Sequence, residues 1–359
     1  TEFLGKTYTY DTDNRYLKTV TDALGRTTTT LSYDKYGNPL SVMDFLQHTT
    51  NYTYDNLGRA VITNYPDDVT KSNIYTWSNV KGSYLHTQTV TGKPQLRTFY
   101  DALNREIRNG DQRFDGTWRY IDTEYDRYGR LKRTSLPFKG NDPTLWNTYT
   151  YDEYDRTISL IEASGKTTTT SYNGRSITVV SENISTTRTY DESGKLVAAT
   201  DPGGSISYIY RPDGQLKQII APDNIITSFE YDSYGRQTKL IDPSAGTQTY
   251  SESYSGNIRT ITQTNANNKT ITSVFDKYGR ITSKSCPEFT TNYSYDPVTK
   301  QLASATSTNF VRSYIYDDYG RVKEDYEKGE DSDIFLRREY SYANGNCTKI
   351  KYHPSAMPV

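Results

Sequence analysis

The chain has 359 residues, 42 Lys+Arg against 43 Asp+Glu for a formal net charge of −1, and only 33% hydrophobic residues, although Tyr alone contributes 35. Balanced charge without a basic stripe excludes a nucleic-acid backbone as partner, no apolar run is long enough for a membrane span in this segment, and aliphatics are too sparse for a thick core covered on both sides. Abundant aromatic and β-branched residues argue against disorder, so Tyr and Thr are expected at half-buried sheet positions, with an apolar body and a polar tip.

The start, Thr1-Glu2-Phe3, has no signal-peptide pattern, and the segment is expected to be a fragment of a longer protein. From Tyr10 and Tyr33 onward an aromatic anchor returns about every 21 residues. The first full copy of Tyr-Asp-x-x-Gly-Arg is Tyr54, Asp55, Gly58 and Arg59. Weaker anchors Tyr75 and Tyr100 lead to the second, Tyr125, Asp126, Gly129 and Arg130. Tyr151, Tyr172, Tyr190 and Tyr210 precede the third, Tyr231, Asp232, Gly235 and Arg236. Tyr254 is followed by Phe275, Asp276, Gly279 and Arg280, and Tyr295 by Tyr316, Asp317, Gly320 and Arg321, with Tyr342 last. A fixed period of this size means one supersecondary unit used about 16 times, and residues 1–359 are read as a single continuous array. The spacing widens within 75–150, where insertions are expected.

Each repeat reads as two strands and two turns. After Gly-Arg comes a short strand such as Leu216–Ala221, then a Pro/Gly/Asp turn such as Asp201-Pro202-Gly203-Gly204. Residues of that kind preset φ or tolerate positive φ, so the chain reverses. The returning strand is rich in Thr and Tyr, with aromatics at i and i+2 (Tyr52 and Tyr54, Tyr149 and Tyr151) on one pleated face. In the motif, Asp is expected to accept bonds from turn amides, Gly to supply a left-handed backbone, and Arg to pair with an Asp of a neighbouring repeat. The anchors are expected to form a ladder of cross-strand aromatic contacts. The fold class is all-β: tandem hairpins forming one long antiparallel sheet strip, which must curl because a twisted sheet of that width does not stay flat.

Tyr-Asp-x-x-Gly-Arg at this spacing, over essentially the whole chain, resembles the YD repeats of the Rhs (rearrangement hotspot) proteins. The same repeats occur in the C components of insecticidal Tc toxin complexes, in a bacterial wall-associated protein and in the teneurin adhesion receptors. The resemblance implies a strip spiralling into a hollow, at least partial, shell. It further implies a non-enzymatic structural role: enclosing or presenting an attached C-terminal effector or toxin, as a secreted or cell-surface bacterial protein. The implied partners are further repeats and the effector domain of its own polypeptide. An extracellular adhesion or carbohydrate-binding array, with glycans or a surface protein as partner, is the alternative, and an enzyme on a β-scaffold ranks last. In toxin-carrying members the shell ends in a self-cleaving segment around Asp-Pro-x-Gly. Here Asp201-Pro202, Asp242-Pro243 and Asp296-Pro297 are followed by further repeats, so they read as structural turns and no catalytic residue is assigned.

The remaining residue patterns carry no catalytic or ligand-binding motif. His48, His86 and His353 fall in unrelated phases of the repeat without ligand spacing, so no metal or cofactor is expected. Asp11/Asp13 and Asp331/Asp333 lack the Gly and Glu of a calcium loop and read as solvated turn acids. Gly165-Lys166-Thr167 is a turn rather than a phosphate loop. Cys286 and Cys347 admit one bridge or two free thiols, the latter preferred. Trp77, Trp118, Phe138 and Trp146 fall off the period, in the widened stretch, and are the candidate contact surface.

Overall fold

The computed structural model describes residues 5–78, 80–308, 310–329 and 335–354. These described residues form 32 β-strands and one short 3-10 turn, Pro222–Asn224. Period-2 burial follows the alternation of the sequence: Thr167–Asn173 and Thr290–Tyr295 each switch strictly between exposed and half-buried. The all-β expectation, a strip of tandem hairpins, is met.

The chain divides into two compact units. One combines residues 1–72, 90–93 and 249–359; the other holds 73–89 and 94–248. In the second unit every strand from Tyr84–Val90 to Gln237–Asp242 pairs antiparallel with the next in sequence. In the first unit the same rule runs from Thr7–Tyr10 to residue 72 and again from residue 249 to Asn346–Pro354.

One irregularity recurs at the anchors. Tyr125 pairs with Leu131 while Glu124 pairs with Arg133, so Lys132 is an extra residue on the outgoing strand. The same one-residue shift follows Tyr54, Tyr151, Tyr190, Tyr210, Tyr231, Phe275, Tyr295, Tyr316 and Tyr342. A bulge bends its strand and raises the local right-handed twist, so each repeat adds its own increment of curl.

The core is thin. Phe99 is the one hydrophobic side chain in the buried class among the described residues. The accessible surface is 22987 Å², whereas a compact globule of 41.1 kDa exposes ~15,000 Å². The excess means that much of the sheet's surface faces solvent.

Candidate functional site

The anchor turn is a small closed system of hydrogen bonds. In Asp126–Arg130 the Asp126 amide donates to the Arg130 carbonyl at 2.8 Å and the Gly129 amide to the Asp126 carbonyl at 3.0 Å. Asp126 Oδ1 accepts from the amides of Tyr128 (2.9 Å) and Arg130 (3.0 Å), and its Oδ2 takes Arg130 Nε at 2.7 Å. Gly129 sits at φ +85°, where a Cβ is strained. Weaker repeats place Asn104 (φ 62°) and Asp155 (φ 63°) there, polar residues that tolerate the left-handed region. Asp55, Asp232, Asp276 and Asp317 bind their own Arg59, Arg236, Arg280 and Arg321 in the same way. The motif arginine therefore pairs first with its own turn, not with a neighbour as the sequence suggested. The four-residue separation in a folded-back loop makes that the shorter path. Arg130 does both, since its Nη1 also reaches Asp155 of the next repeat at 2.6 Å.

Adjacent repeats are linked by the anchor itself. Tyr151 Oη donates to the Leu131 carbonyl at 2.7 Å, and the Arg130 guanidinium lies 4.6 Å from the Tyr151 ring centroid. Tyr172, Tyr295 and Tyr342 repeat both contacts, through the carbonyls of Thr157, Ile281 and Val322 and the cations of Arg156, Arg280 and Arg321. At these anchors the expected ring-on-ring contact gives way to alternating guanidinium and ring, whereas Tyr33 stacks on Tyr16 at 5.1 Å and Tyr100 on its cross-strand partner Tyr84 at 4.6 Å. Each cation–π contact contributes about 0.5–1 kcal/mol at exposed sites, and each hydroxyl adds a hydrogen bond to a carbonyl at the start of the preceding outgoing strand.

The widened stretch packs differently. Trp118 stacks on Tyr120 at 5.9 Å, and Tyr120 meets Phe138 at 6.0 Å and Phe99 at 6.5 Å. Beneath them Arg108 grips the fully buried Asp122 through Nε–Oδ1 (2.5 Å) and Nη2–Oδ2 (2.8 Å), Lys81 binds the same carboxylate, and Ser135 Oγ accepts from the Asp122 amide. Segment 136–145 folds back so that Phe138 bridges to Tyr120 and the Asn141 carbonyl accepts from Arg108. Gly110 opposite Tyr120 leaves room for the ring, because a Cβ there would lie 2.5 Å from Tyr120 Cε1. Three of the four off-period aromatics therefore sit against protein: Arg97 covers Trp118 at 4.1 Å and Arg133 covers Trp146 at 4.0 Å, while Phe138 joins the cluster. Trp77 stands apart, 84% exposed. Sequence reading missed Arg108, Asp122 and Gly110; their signal was a charged pair and a glycine at inward positions of strands.

In the first unit, N-terminal turns meet C-terminal ones. His48 stacks on Tyr319 (centroids 4.5 Å apart), and Arg321 Nη1 reaches Asp67 at 2.7 Å. A cleft of about 550 Å³ beside this seam is lined by Phe45, Leu46, Tyr314 and Asp318 among others. A second buried carboxylate, Asp325, is held by Arg312 and Arg338. Burial alone would raise it, but those guanidinium bonds keep it below the ordinary carboxylate range.

No group of three or more His, Cys, Asp and Glu among the described residues is placed to share a metal ion. His86 bonds Asn73, and His353 bonds Glu339. Asp11 accepts from the amides of Arg15 and Tyr16; Asp331 and Asp333 lie outside the described residues. Asp201, Asp242 and Asp296 each accept a turn amide two residues on, as structural turn acids do. Both cysteines are free thiols. No helix of the described residues is long and apolar enough to cross a membrane.

Stapled antiparallel hairpins at a fixed period define a structural repeat array. The sequence model of the teneurin YD-shell family matches residues 121–317, more than half of the chain, and the chain belongs to that family. Among curated proteins it is 28% identical over 195 residues to the tRNA3(Ser)-specific nuclease WapA of Bacillus spizizenii, covering 52% of this chain and 8% of that protein. Among solved structures it is similar to TcdB2-TccC3 (TM-score 0.53, 14% identity), over 97% of this chain and 32% of that one. It is also similar to the Photorhabdus luminescens Tc holotoxin pore (TM-score 0.52, 13% identity), over 98% of this chain and 30% of that one. The chain thus spans about a third or less of each relative, and the structural likenesses show the fold.

Proposed function

We propose that residues 1–359 are a continuous stretch of shell wall, without catalysis of their own, that encloses or presents an effector carried further along the same bacterial polypeptide. The observation that carries this is the uncovered sheet. With Phe99 the one buried hydrophobic side chain among the described residues, a wall fits this chain better than a solid domain does. Turn staples and anchor bonds give that wall its rigidity without a second layer. Such a wall denies a cargo both folding space and access to targets, a role suited to a secreted or cell-surface protein. Family membership in a shell domain supports the reading. The test is limited proteolysis of the whole encoded polypeptide. Protection of the segment downstream of residue 359, lost when the wall is unfolded by denaturant, is the expected result. Cleavage of that segment as fast as of the free peptide overturns the proposal.

A second reading, a glycan-binding array, rests on Trp77, whose ring is open to solvent and suited to stacking on a sugar face. Trp118 and Trp146 each have one ring face taken by an arginine. Glycan-array binding lost in Trp77→Ala supports this reading; a flat response from the unsubstituted protein removes it.

A further inference from the structure

In an antiparallel meander successive turns fall on opposite edges, so the anchor turns share one edge and the Pro/Gly/Asp turns the other. On the anchor edge of the second unit, the residue two beyond the turn's aspartate is Leu103, Tyr128, Tyr154 or Tyr234. All four are widely exposed, Tyr234 to 83%. Each tyrosine ring lies 4.9–5.2 Å from its own turn's arginine, but the turn's hydrogen bonds take only the backbone amide of that residue: Ser193 occupies the same place in the Asp191 turn and gives the same bond at 2.8 Å. Large apolar side chains there are therefore not needed to close the turn.

The first unit shows what such a side chain does when it is covered. The equivalent residue is Tyr319, and its ring stacks on His48 of the opposite-edge turn Asp44–His48. Leu46 of that turn reaches within 3.3 Å of where a Gly320 Cβ would stand. Arg321 holds its own Asp317 through Nε and spends Nη1 on Asp67, in the next opposite-edge turn. The following anchor-edge turn, at Gly345, lies against Val69. Anchor edge meets opposite edge, and the contact advances by one repeat at a time.

We propose that Leu103, Tyr128, Tyr154 and Tyr234 dock a further course of the same repeat, presented as opposite-edge turns by repeats of the same polypeptide outside residues 1–359. This rests on the wall reading. The partner's chemistry follows from the seam: a flat ring or leucine to meet each tip, and a carboxylate beside it. Arg105 and Arg156 hold their own aspartates through Nε and Nη2, and Nη1 of each has no carboxylate among the described residues. That is the nitrogen with which Arg321 takes Asp67. The relatives supply the length: this chain spans 32% of the TcdB2-TccC3 chain.

Hydroxyl-radical footprinting of the whole encoded polypeptide tests this. Tyr128, Tyr154 and Tyr234 are expected to show protection factors matching that of Tyr319, several-fold above the value for an open tyrosine. The triple variant Tyr128→Ser/Tyr154→Ser/Tyr234→Ser, which copies the Ser193 turn, is expected to keep the far-UV spectrum and to raise the protease cleavage rate about tenfold. Open-tyrosine labelling of the tips overturns the proposal. So does protection that appears only as protein concentration rises, because the occupant is then a second copy. Free labelling of the tips with a protected downstream segment removes the docking inference alone; protected tips with a freely cleaved downstream segment remove the enclosure reading.

Discussion

Arg321 and Asp67, 254 residues apart in the chain, lie 2.7 Å apart with both side chains largely buried. Arg321 also holds Asp317 and covers the Tyr342 ring at 4.4 Å, so one guanidinium joins its own turn, the next repeat and a distant turn. A partly shielded pair of this kind contributes about 1 kcal/mol. Asp67→Asn is expected to lower stability by that amount, and a double-mutant cycle with Arg321→Gln to return a similar coupling. Additive effects in denaturant titrations would show that the seam does not couple the two stretches.

Stability should fall in acid from the turn aspartates. Asp55 and Asp232 are held below the ordinary carboxylate value, first by the amides of Arg59 and Arg236 and then, against burial, by their guanidinium groups. A carboxyl depressed in the folded state stabilises above its unfolded pKa and loses that contribution as pH falls through the folded one. The melting temperature is therefore expected to be flat from neutrality down to about pH 5 and to drop below about pH 4, followed by circular dichroism. A decline that begins well above pH 5 would overturn this assignment to the turn aspartates.

The anchor hydroxyl is separable from the ring. Tyr151→Phe removes the donor to the Leu131 carbonyl and keeps the surface under Arg130, which predicts a loss of about 1 kcal/mol. Tyr151→Leu loses the cation–π contact as well and should cost measurably more. Equal melting temperatures for the two variants would assign all of the stabilisation to the hydroxyl.

Period, strand type and turn positions were legible because they depend on local chemistry: alternation in Thr290–Tyr295 sets the faces, and Asp126 with Gly129 closes a turn wherever it occurs. The bulge residue Lys132 was hidden, since an extra residue on a strand has no composition of its own. The partner of each arginine was also hidden, because Arg130 has two aspartates in reach and only geometry ranks them. Trp118 and Trp146 read as contact residues because they break the period, and nothing in sequence places Arg97 and Arg133 over them.

Two neighbouring residues contrast backbone and side-chain demands. Gly129 needs φ +85°, so Gly129→Val should cost ~1–2 kcal/mol or more in left-handed strain. Lys132 is an exposed bulge residue, and Lys132→Ala should stay within about 0.5 kcal/mol. Denaturant midpoints that coincide would show that the turn can close with a different backbone.

The buried pair of the second unit supports the sharpest substitution test. Asp122 is 1% exposed and carries Arg108 on both oxygens with Lys81 beside it. Asp122→Asn keeps the volume but leaves two cations facing one neutral amide. Breaking a buried pair from one side costs about 3–5 kcal/mol, so the loss should exceed that of any single turn staple. Replacing both members, Arg108→Met with Asp122→Leu, removes the uncompensated charge, and Lys81, 30% exposed, can turn to water. The double variant should recover most of the stability, because apolar side chains of similar size fit under Phe99, Tyr120 and Phe138. A double variant as unstable as Asp122→Asn alone would show instead that the geometry of the pair, with its bonds to the Asn141 carbonyl and the strand beneath, holds segment 136–145 in place.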